Sequence, residues 1–396
     1  MINKKILIVG GGSAGWMAAS YLATQTDCHI TLVESANIPI VGVGESTIPS
    51  INDFIEAVGI TEQDLFDHCS AVRKYTIQHN NWNGNNDSWW HHFCFDECEH
   101  EEQLAWLESK QVPNKKWRHA YHLDATKLGA VLRDKVGLPH GVNHIIDDVV
   151  EVVHDHNGIT QVVGQAGIYT ADLYIDCTGF KGLLRKPLGV NLQQHPGLIN
   201  NYALAGPGEF VEPQVNYTQT YAMDHGWRWR VCIQHRTGNG YAFNKDLVSV
   251  EQARKEFIAK TPGLHVDKIF EVPMFNSFNP EPWKKNVVAL GLSCGFLEPL
   301  EATGLFLIHA PLKLLARLLD DPKAEEKYNR VWTRMYNHIA EFLSMHFTTS
   351  RLDHTEYWRS IPKIAQVKLP TPGQILFDQY SYRQLALGRN MEIKND

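Results

Sequence analysis

Three glycines near the start of the chain have the type and spacing needed to bind a phosphate group. The pattern G-x-G-x-x-G is formed by Gly10, Gly12 and Gly15. It follows the apolar run 6–9 and overlaps the start of a helical segment, 14–24. In such a strand-turn-helix unit the first helical amides, here those of Ser13 and Ala14, can hold a pyrophosphate. The pattern predicts a nucleotide site; the alternative is a glycine-rich turn that only packs a helix on a strand.

Two later strand-to-turn elements favour FAD over NAD as the nucleotide. The strand 287–290 leads through a turn that contains Leu292 into a predicted long helix, 299–319, whose N-terminus could face the pyrimidine end of a flavin. Asp176 ends a further predicted strand ahead of a second turn. Glu34 ends the strand after the glycines, where a carboxylate accepts hydrogen bonds from the adenosine ribose and disfavours a 2′-phosphate. Together these features predict FAD extended across one Rossmann-like module.

The elements that position these residues indicate an α/β protein. Short apolar strands alternate with helical segments, which predicts a parallel, Rossmann-like FAD-binding module of the flavin monooxygenase type. Residues 201–243 alternate polar and aromatic side chains, as an interleaved antiparallel sheet on the substrate side would. Residues 79–117 have the composition of a loop-rich insertion carrying aromatic side chains. A helical substrate-binding region completes the expected fold.

The expected domains are discontinuous in sequence. The FAD-binding module is assigned to residues 1–75, 120–190 and 280–320. The substrate-binding region is assigned to residues 76–119, 191–279 and 321–396.

Composition excludes several classes of partner. The chain of 396 residues has 44 acidic and 37 basic side chains without a basic block, so nucleic acid is not an expected partner. No apolar run has the length of a membrane span, and we expect a cytoplasmic protein. The seven cysteines are irregularly spaced, which fits a reducing compartment better than a disulfide framework. The oligomeric state stays open, and a homo-oligomer is compatible with the sequence.

Several motifs in fixed order resemble the flavin-dependent tryptophan halogenase family. They are Gly44-Glu45-Ser46-Thr47-Ile48-Pro49, Lys74 in Ala71-Val72-Arg73-Lys74, Trp227-x-Trp229, and Gly295-Phe296-Leu297-Glu298-Pro299-Leu300-Glu301-Ala302-Thr303-Gly304. The resemblance extends from the N-terminus to about residue 358.

The resemblance implies a definite reaction. A separate flavin reductase would supply reduced FAD, which would react with oxygen and a halide (chloride, bromide or iodide) to give hypohalous acid. The acid would pass along a tunnel lined by Trp227 and Trp229 to Lys74, and an indole or another small electron-rich aromatic would be halogenated there. Lys74 and Glu301 match the family's catalytic lysine and glutamate. The family's cofactor segment is matched by Gly44, Glu45, Ser46 and Thr47, its halide site by the backbone amides of Thr303 and Gly304, and its substrate contacts by Pro49, His91 and Phe93.

These residue types suit that chemistry. A lysine amine can hold hypohalous acid by a hydrogen bond or become a haloamine, and the second route needs a neutral amine. Glu301 could polarise the electrophile or accept the proton that leaves the ring. Taken alone, Lys74 would be a solvated surface lysine and Glu301 a carboxylate that favours a helix N-terminus. The sequence does not choose between the two lysine routes.

Two departures from the family pattern concern efficiency and substrate. Cys232 stands where the family's tryptophan motif has proline, and Ala302 stands where well-known members have serine. The chain is also shorter than well-known members, so we expect a more open pocket that prefers free indole to tryptophan. For His91 and Phe93, core packing is an equal alternative.

Three further readings are kept open or set aside. A flavin monooxygenase that hydroxylates its substrate directly is the runner-up, and Lys74 argues against it because hydroxylation needs no remote lysine. A degenerate FAD-binding protein without catalysis is the third functional interpretation.

No metal site is expected, because zinc ligands normally come from two separated knuckles. The one alternating candidate set is Cys94, Asp96, Cys98 and His100.

Overall fold

The computed structural model describes residues 3–38, 45–93, 118–210, 214–348, 355–361, 366–371 and 376–394. Within these ranges the α-helices are α1 (Ser13–Gln25), α2 (Ile51–Val58), α3 (Glu62–His68), α4 (Ala125–Val131), α5 (Val250–Lys260), α6 (Phe306–Leu318), α7 (Ala324–Phe347), α8 (Glu356–Ser360) and α9 (Gln379–Gly388). A π-helical turn, Leu132–Gly137, continues α4. The 3₁₀ turns are Gly179–Lys181, Lys186–Leu188, Val266–Lys268, Gly291–Ser293 and Pro299–Glu301.

The strands are numbered in chain order. The first twelve are β1 (Lys5–Val9), β2 (His29–Glu34), β3 (Glu45–Ser46), β4 (Val72–Lys74), β5 (Thr76–Asn80), β6 (Ser88–His92), β7 (Ala120–Leu123), β8 (Asn143–Ile146), β9 (Val149–Asp155), β10 (Gly158–Gly164), β11 (Ile168–Tyr169) and β12 (Leu173–Asp176). The others are β13 (Gln193–Gln194), β14 (Tyr202–Gly208), β15 (Tyr217–Met223), β16 (Gly226–Ile233), β17 (Arg236–Phe243), β18 (Phe270–Pro273), β19 (Ser277–Phe278), β20 (Trp283–Lys284), β21 (Val287–Ala289), β22 (Gly295–Phe296), β23 (Gln366–Lys368) and β24 (Glu392–Lys394).

A six-stranded sheet in the order β20-β21-β12-β1-β2-β8 forms one half of the molecule. All its neighbours pair in parallel except β20, which is antiparallel to β21. The apolar strand β1 is buried because helices cover the sheet: Ile6 and Ile8 lie in one core cluster with Trp16 of α1 and Leu312 of α6. This is the Rossmann-like parallel sheet that the sequence predicts.

A seven-stranded sheet in the order β18-β14-β17-β16-β15-β5-β6 forms the second half. Its pairs are antiparallel apart from β15 and β5, which run parallel. Because side chains alternate between the faces of a strand, residues that pair directly across strands share a face. One face therefore carries His79 paired with Trp89, His91 of the same hairpin, and Thr220 paired with Trp229.

A small sheet in the order β3-β7-β4 joins distant parts of the chain near the second half. β7 pairs Leu123 with Glu45 on one side and Ala120 with Lys74 on the other. The sheet thus brings the segment after residue 44 next to Lys74. No helix in the described ranges is long and apolar enough to cross a membrane.

Most predicted strands are confirmed, including β1, β2, β9, β10, β12 and β21, and the antiparallel interpretation of residues 201–243 is confirmed by β14 to β17. The prediction of a continuous helix over 299–319 is wrong. Pro299–Glu301 is a 3₁₀ turn, and α6 begins only at Phe306. Ala302 adopts a left-handed conformation with φ 58°, which a helix cannot accommodate.

The interpretation of residues 79–117 as a loop-rich insertion is wrong for its first part. Strands β5 and β6 form a hairpin on the edge of the seven-stranded sheet. Positive φ angles at Asn81, Gly84 and Asn86 confine the polar stretch to the connecting turn. The polar residues that suggested a long loop therefore build a compact turn between two ordered strands.

Candidate active site

A cavity of about 930 Å³ begins at the glycine turn after β1. Gly10, Gly12, Ser13 and Ala14 line it. A Cβ at Gly10 would lie 2.4 Å from the carbonyl oxygen of Cys177, and one at Gly15 would lie 1.8 Å from that of Gly10. These two glycines allow close packing, whereas Gly12 has no atom within 4 Å of an added Cβ and faces open space. Close packing beside open space fits a pyrophosphate held against backbone amides.

Glu34 and Leu292 line the same cavity at the ends of their strands. Glu34 accepts a hydrogen bond from His144 Nε2 at 2.7 Å, which holds the carboxylate at the end of β2. Glu45 and Ser46 of β3 also line the cavity, so the first part of the resemblance motif lies at the predicted cofactor site. Its first residue, Gly44, lies outside the described residues.

Two predicted cofactor residues are not among those that line the cavity, and their side chains contact neighbouring protein groups. Asp176 is buried, and its carboxylate accepts hydrogen bonds from the amides of Thr178, Leu184 and Arg185 and from the Thr178 hydroxyl. It shapes the turn that lines the cavity rather than facing the cavity. Thr47 is buried too: its hydroxyl bonds the backbone of Tyr121, and its carbonyl oxygen accepts from Lys74 Nζ at 3.0 Å. The assignment of both residues as cofactor contacts stays a prediction, and their observed contacts are to neighbouring protein groups.

The cavity continues from the parallel sheet to the second half of the molecule. Trp227, Trp229, Thr220, Ala302 and Gly304 line its far part. Trp229 covers Gly240, where an added Cβ would lie 1.9 Å from the indole ring. The two predicted tunnel residues and one predicted halide residue thus share one cavity with the glycine turn. The other predicted halide residue, Thr303, lies between Ala302 and Gly304 in the sequence. It is buried and is not among the residues that line the cavity.

Lys74 ends β4 with its side chain fully buried. Its amine donates to the Thr47 carbonyl and lies 5.0 Å from the centre of the Phe93 ring. Burial lowers the pKa of this amine to about 7, although the negative charge of Glu301 opposes the shift. The predicted catalytic amine is therefore shielded from solvent and lies in the electrostatic field of Glu301.

Glu301 is surrounded by three buried histidines. Its Oε1 lies 2.7 Å from His346 Nε2 and 3.3 Å from His79 Nε2, and its Oε2 lies 2.7 Å from His91 Nδ1. Burial works against ionisation of this carboxyl, but the charge of His91 and the polar contacts of the three rings outweigh it and hold the pKa well below its usual range. Glu301 is therefore a buried carboxylate.

The sequence did not single out His79 or His346. His79 lies on β5, and His346 lies at the end of α7, two residues before Thr348. Each is unremarkable in its own segment, and only the packing of α7 against the sheet brings both rings to Glu301. These side chains place three atoms of metal-ligand type within 4.8 Å of one another. The cysteine-rich candidate set from Cys94 to His100 lies outside the described residues.

The predicted substrate residues lie beside the two catalytic candidates. His91 contacts Glu301 and Phe93 contacts Lys74, and both are buried. Pro49 is half-buried and lies two residues after the carbonyl that accepts from Lys74. Both side chains lie beside the polar groups that would do the chemistry, and their assignment as substrate contacts stays a prediction with core packing as its alternative.

Glu298 is a further buried acid that sequence analysis overlooked. Its Oε1 accepts from Trp227 Nε1 at 2.5 Å and from the side-chain amide of Asn200. Burial raises the pKa of this carboxyl to about 7, with both hydrogen bonds opposing the shift. The hydrogen bond from Trp227 to Glu298 fixes the orientation of the Trp227 indole.

Cys232, which stands where the family motif has proline, contributes a backbone contact. Its carbonyl oxygen accepts a hydrogen bond from His122 Nδ1 at 3.0 Å.

Comparisons with known proteins agree with this geometry. A profile of the family described as Tryptophan halogenase matches residues 5–112 and 96–391. The 7-chloro-L-tryptophan 6-halogenase KtzR of Kutzneria sp. (strain 744) is 32% identical, with 89% of this chain and 81% of that protein covered. The tryptophan 7-halogenase RebH of Lentzea aerocolonigenes is 31% identical, with 90% and 78% covered.

A solved structure extends the likeness to three dimensions. The chain superposes on a flavin-dependent halogenase from Xanthomonas campestris with a TM-score of 0.91 and 28% identity, over 100% of this chain and 91% of that one. The α/β fold with its Rossmann-like module is thus shared with a flavin-dependent halogenase. Given the matched family profile and the two curated relatives, this chain belongs to the tryptophan halogenase family and is a flavin-dependent halogenase.

Proposed function

We propose that the chain uses reduced FAD from a separate reductase, dioxygen and a halide ion to halogenate an indole or another electron-rich aromatic between Lys74 and Glu301. One observation carries this proposal. A buried amine whose pKa is about 7 lies in the electrostatic field of a buried carboxylate, and the sequence neighbours of that carboxylate, Leu300 and Ala302, line the cavity that begins at the glycine turn. Such a pair can direct an electrophile and then remove a proton.

The residues around the cavity fit FAD. The amides of Ser13 and Ala14 would hold its pyrophosphate, Glu34 its ribose hydroxyls, and Glu45, Ser46 and Leu292 would border the flavin end. When bound, reduced FAD supplies the reaction of dioxygen with halide that yields hypohalous acid. The backbone at Thr303 and Gly304 would hold the halide.

Lys74 would receive the hypohalous acid at the far end of the tunnel. With a pKa of about 7, the amine is present in both protonation states at neutral pH. The ammonium can donate a hydrogen bond to hypohalous acid, and the neutral amine can form a haloamine, so both routes stay available. The Thr47 carbonyl takes one N–H and fixes the direction of the amine in either case.

Glu301 would act as the base. In the hydrogen-bonded route the halogen moves from the hypohalous oxygen to a ring carbon, the Lys74 ammonium protonates the departing hydroxide to give water, and the ring proton passes to Glu301, which returns it to the amine. In the haloamine route water leaves when the neutral amine takes the halogen, the halogen then moves from nitrogen to the ring carbon, and the ring proton passes through Glu301 to restore the N–H bond. The three histidines keep this carboxylate ionised in a buried setting. His91 and Phe93 would border the ring, since they touch the carboxylate and the amine respectively.

The substrate class follows from the requirement for an electron-rich ring. The two curated relatives act on tryptophan or chlorotryptophan by their names. For this chain we propose free indole as the preferred substrate, on the sequence expectation of an open pocket. Turnover of indole and tryptophan at equal concentration tests the preference, and faster turnover of tryptophan would reject it.

The test of the function is an assay with FAD, a reductase, chloride, bromide or iodide in separate reactions, and a panel of indoles and phenols read by mass. With the wild type, the product should be heavier than the substrate by one atom of the halogen supplied minus one hydrogen atom. Lys74→Ala and Glu301→Gln should each lower product at least about 100-fold, because each removes a group needed in the transition state.

The matched control is Lys127→Ala, whose amine bonds the Ser70 hydroxyl away from the cavity. It should keep product formation, and FAD affinity should be unchanged in all three variants. Undiminished product from Lys74→Ala would reject the role of this lysine. Oxygen insertion without halide would favour the monooxygenase reading instead.

A further inference from the structure

His79, His346 and Glu301 form a cluster with the geometry of a metal site. Both Nε2 atoms approach the same carboxylate oxygen, at 3.3 Å for His79 and 2.7 Å for His346, and all three ligand atoms lie within 4.8 Å of one another. Ligand atoms around a tetrahedral zinc ion are roughly 3.3 Å apart. Small adjustments of the side chains would bring the cluster to that spacing.

In His79 and His346, the ring nitrogen that points away from Glu301 already has a polar contact. His346 Nδ1 lies 3.0 Å from the Phe342 carbonyl oxygen, so this nitrogen must carry the proton. His79 Nδ1 lies 2.9 Å from the Thr220 hydroxyl, and its ring stacks on Trp89 at 4.1 Å. Histidines that bind metals are held in this way, with one ring nitrogen on a carbonyl or similar partner and the other directed to the ion.

The inner nitrogen of each ring points at the Glu301 carboxylate. His79 is fully buried, and its Nε2 has no hydrogen-bond partner although it points into the cluster. In the neutral form of His346, the inner nitrogen carries a lone pair that faces the carboxylate at 2.7 Å. Two electron-rich atoms at that distance need a cation between them, either a proton or a metal ion.

We propose that His79, Glu301 and His346 bind a divalent zinc-like ion, and that the bound ion reversibly blocks halogenation by taking the carboxylate away from its role as base. Two imidazoles and one carboxylate suit zinc, which also binds three protein ligands with a fourth position open. His91 donates to the second carboxylate oxygen and orients the ligand.

The cluster borders the cavity through one shared neighbour. Thr220 lines the cavity, and its hydroxyl contacts His79. The blocking effect rests on the proposed function of Glu301, whereas the binding site itself does not.

The first measurement is metal binding by the whole chain. Protein freed of metal with a chelator is dialysed against Zn²⁺ and the retained metal is counted, and Co²⁺ is used as a coloured probe of ligand geometry. The wild type and Lys74→Ala, which keeps all three ligands, should each retain about one ion more than His79→Gln or His346→Gln. His338→Gln is the matched control, because this buried histidine lies on the same helix outside the cluster. It should retain as much metal as the wild type.

The second measurement is halogenation at increasing Zn²⁺. Wild-type turnover should fall over the concentration range in which the metal binds, and a chelator should restore it. Two results would each overturn the site and leave a proton between His346 and Glu301. The first is equal metal retention in the wild type and in both ligand variants. The second is a cobalt spectrum without tetrahedral character in the wild type and in Lys74→Ala. Metal bound at the cluster without loss of turnover would support the site and count against Glu301 as the base.

Discussion

Lys74 combines a chargeable group with an environment that disfavours charge. Its side chain is 0% exposed, its named partners are a backbone carbonyl and an aromatic ring, and its pKa falls to about 7. The charged form is therefore destabilised in the folded protein. A group that weakens the fold and still occupies the site indicates a role in chemistry, because stability alone would favour an apolar side chain.

Lys74→Met should raise the free energy of unfolding, and the gain should depend on pH. The amine has a pKa near 10.4 when unfolded and about 7 when folded, so between these values the unfolded chain binds more protons. Wild-type stability should therefore rise with pH across this window, and the advantage of methionine should shrink. We expect about 2–4 kcal/mol at pH 6 and less at pH 9, measured by urea unfolding. Lys127→Met is the control, and an advantage independent of pH would contradict the buried-amine interpretation.

The motif residues could be predicted individually, but their surroundings could not. Glycine spacing and the resemblance located Gly10, Lys74 and Glu301 without any contact information. The contacts of His79 and His346 with Glu301 could not be predicted, because no local sequence pattern indicates that nitrogens from a strand and a helix contact one carboxylate. The contacts of Thr47 could not be predicted for a similar reason: the motif gives its place in the sequence, whereas its orientation toward Lys74 depends on pairing in the small sheet.

At the scale of elements, periodicity predicted the parallel strands well because each is a short buried apolar run. It failed where backbone conformation changes without a change in hydrophobicity. Residues 299–319 are apolar enough to suggest a single helix, yet Ala302 has a left-handed conformation and α6 starts at Phe306. This break turns Glu301 away from a helical path and lets its carboxylate face the three histidines.

Substitutions at Ala302 distinguish the two backbone conformations. In a helix, glycine would cost about 1 kcal/mol relative to alanine, and valine somewhat less. At a left-handed position the order reverses: glycine is relieved of strain, which offsets its lost methyl contacts, and a β-branched side chain clashes. We expect Ala302→Gly to change stability by less than about 1 kcal/mol and Ala302→Val to lose about 2 kcal/mol, measured by chemical unfolding. A variant order with valine more stable than glycine would restore the helical interpretation.

At the scale of the whole molecule, the reaction requires two sheets that the chain builds from interleaved segments. The parallel sheet presents the glycine turn, the antiparallel sheet presents Trp227 and Trp229, and the cavity of about 930 Å³ touches both. The expected division into a discontinuous FAD module and a substrate region stays a prediction. Sequence could indicate the two kinds of sheet from their patterns, but the shared cavity depends on how the sheets pack.

Gly240→Ala tests whether this passage couples the two halves. An added Cβ would lie 1.9 Å from the Trp229 ring, and its three nearest atoms all belong to that ring, so the indole must move within the passage. Gly206→Ala is the matched control in the same sheet, where the nearest atom to an added Cβ is 3.4 Å away. Both variants should bind FAD like the wild type.

Only Gly240→Ala should give less halogenated product per reduced FAD supplied and release more oxidised halogen to a soluble acceptor. The yield should fall several-fold, because a misplaced wall diverts the electrophile before it reaches the amine. Equal product yields in both glycine variants would mean that Trp229 does not border the route taken by the electrophile.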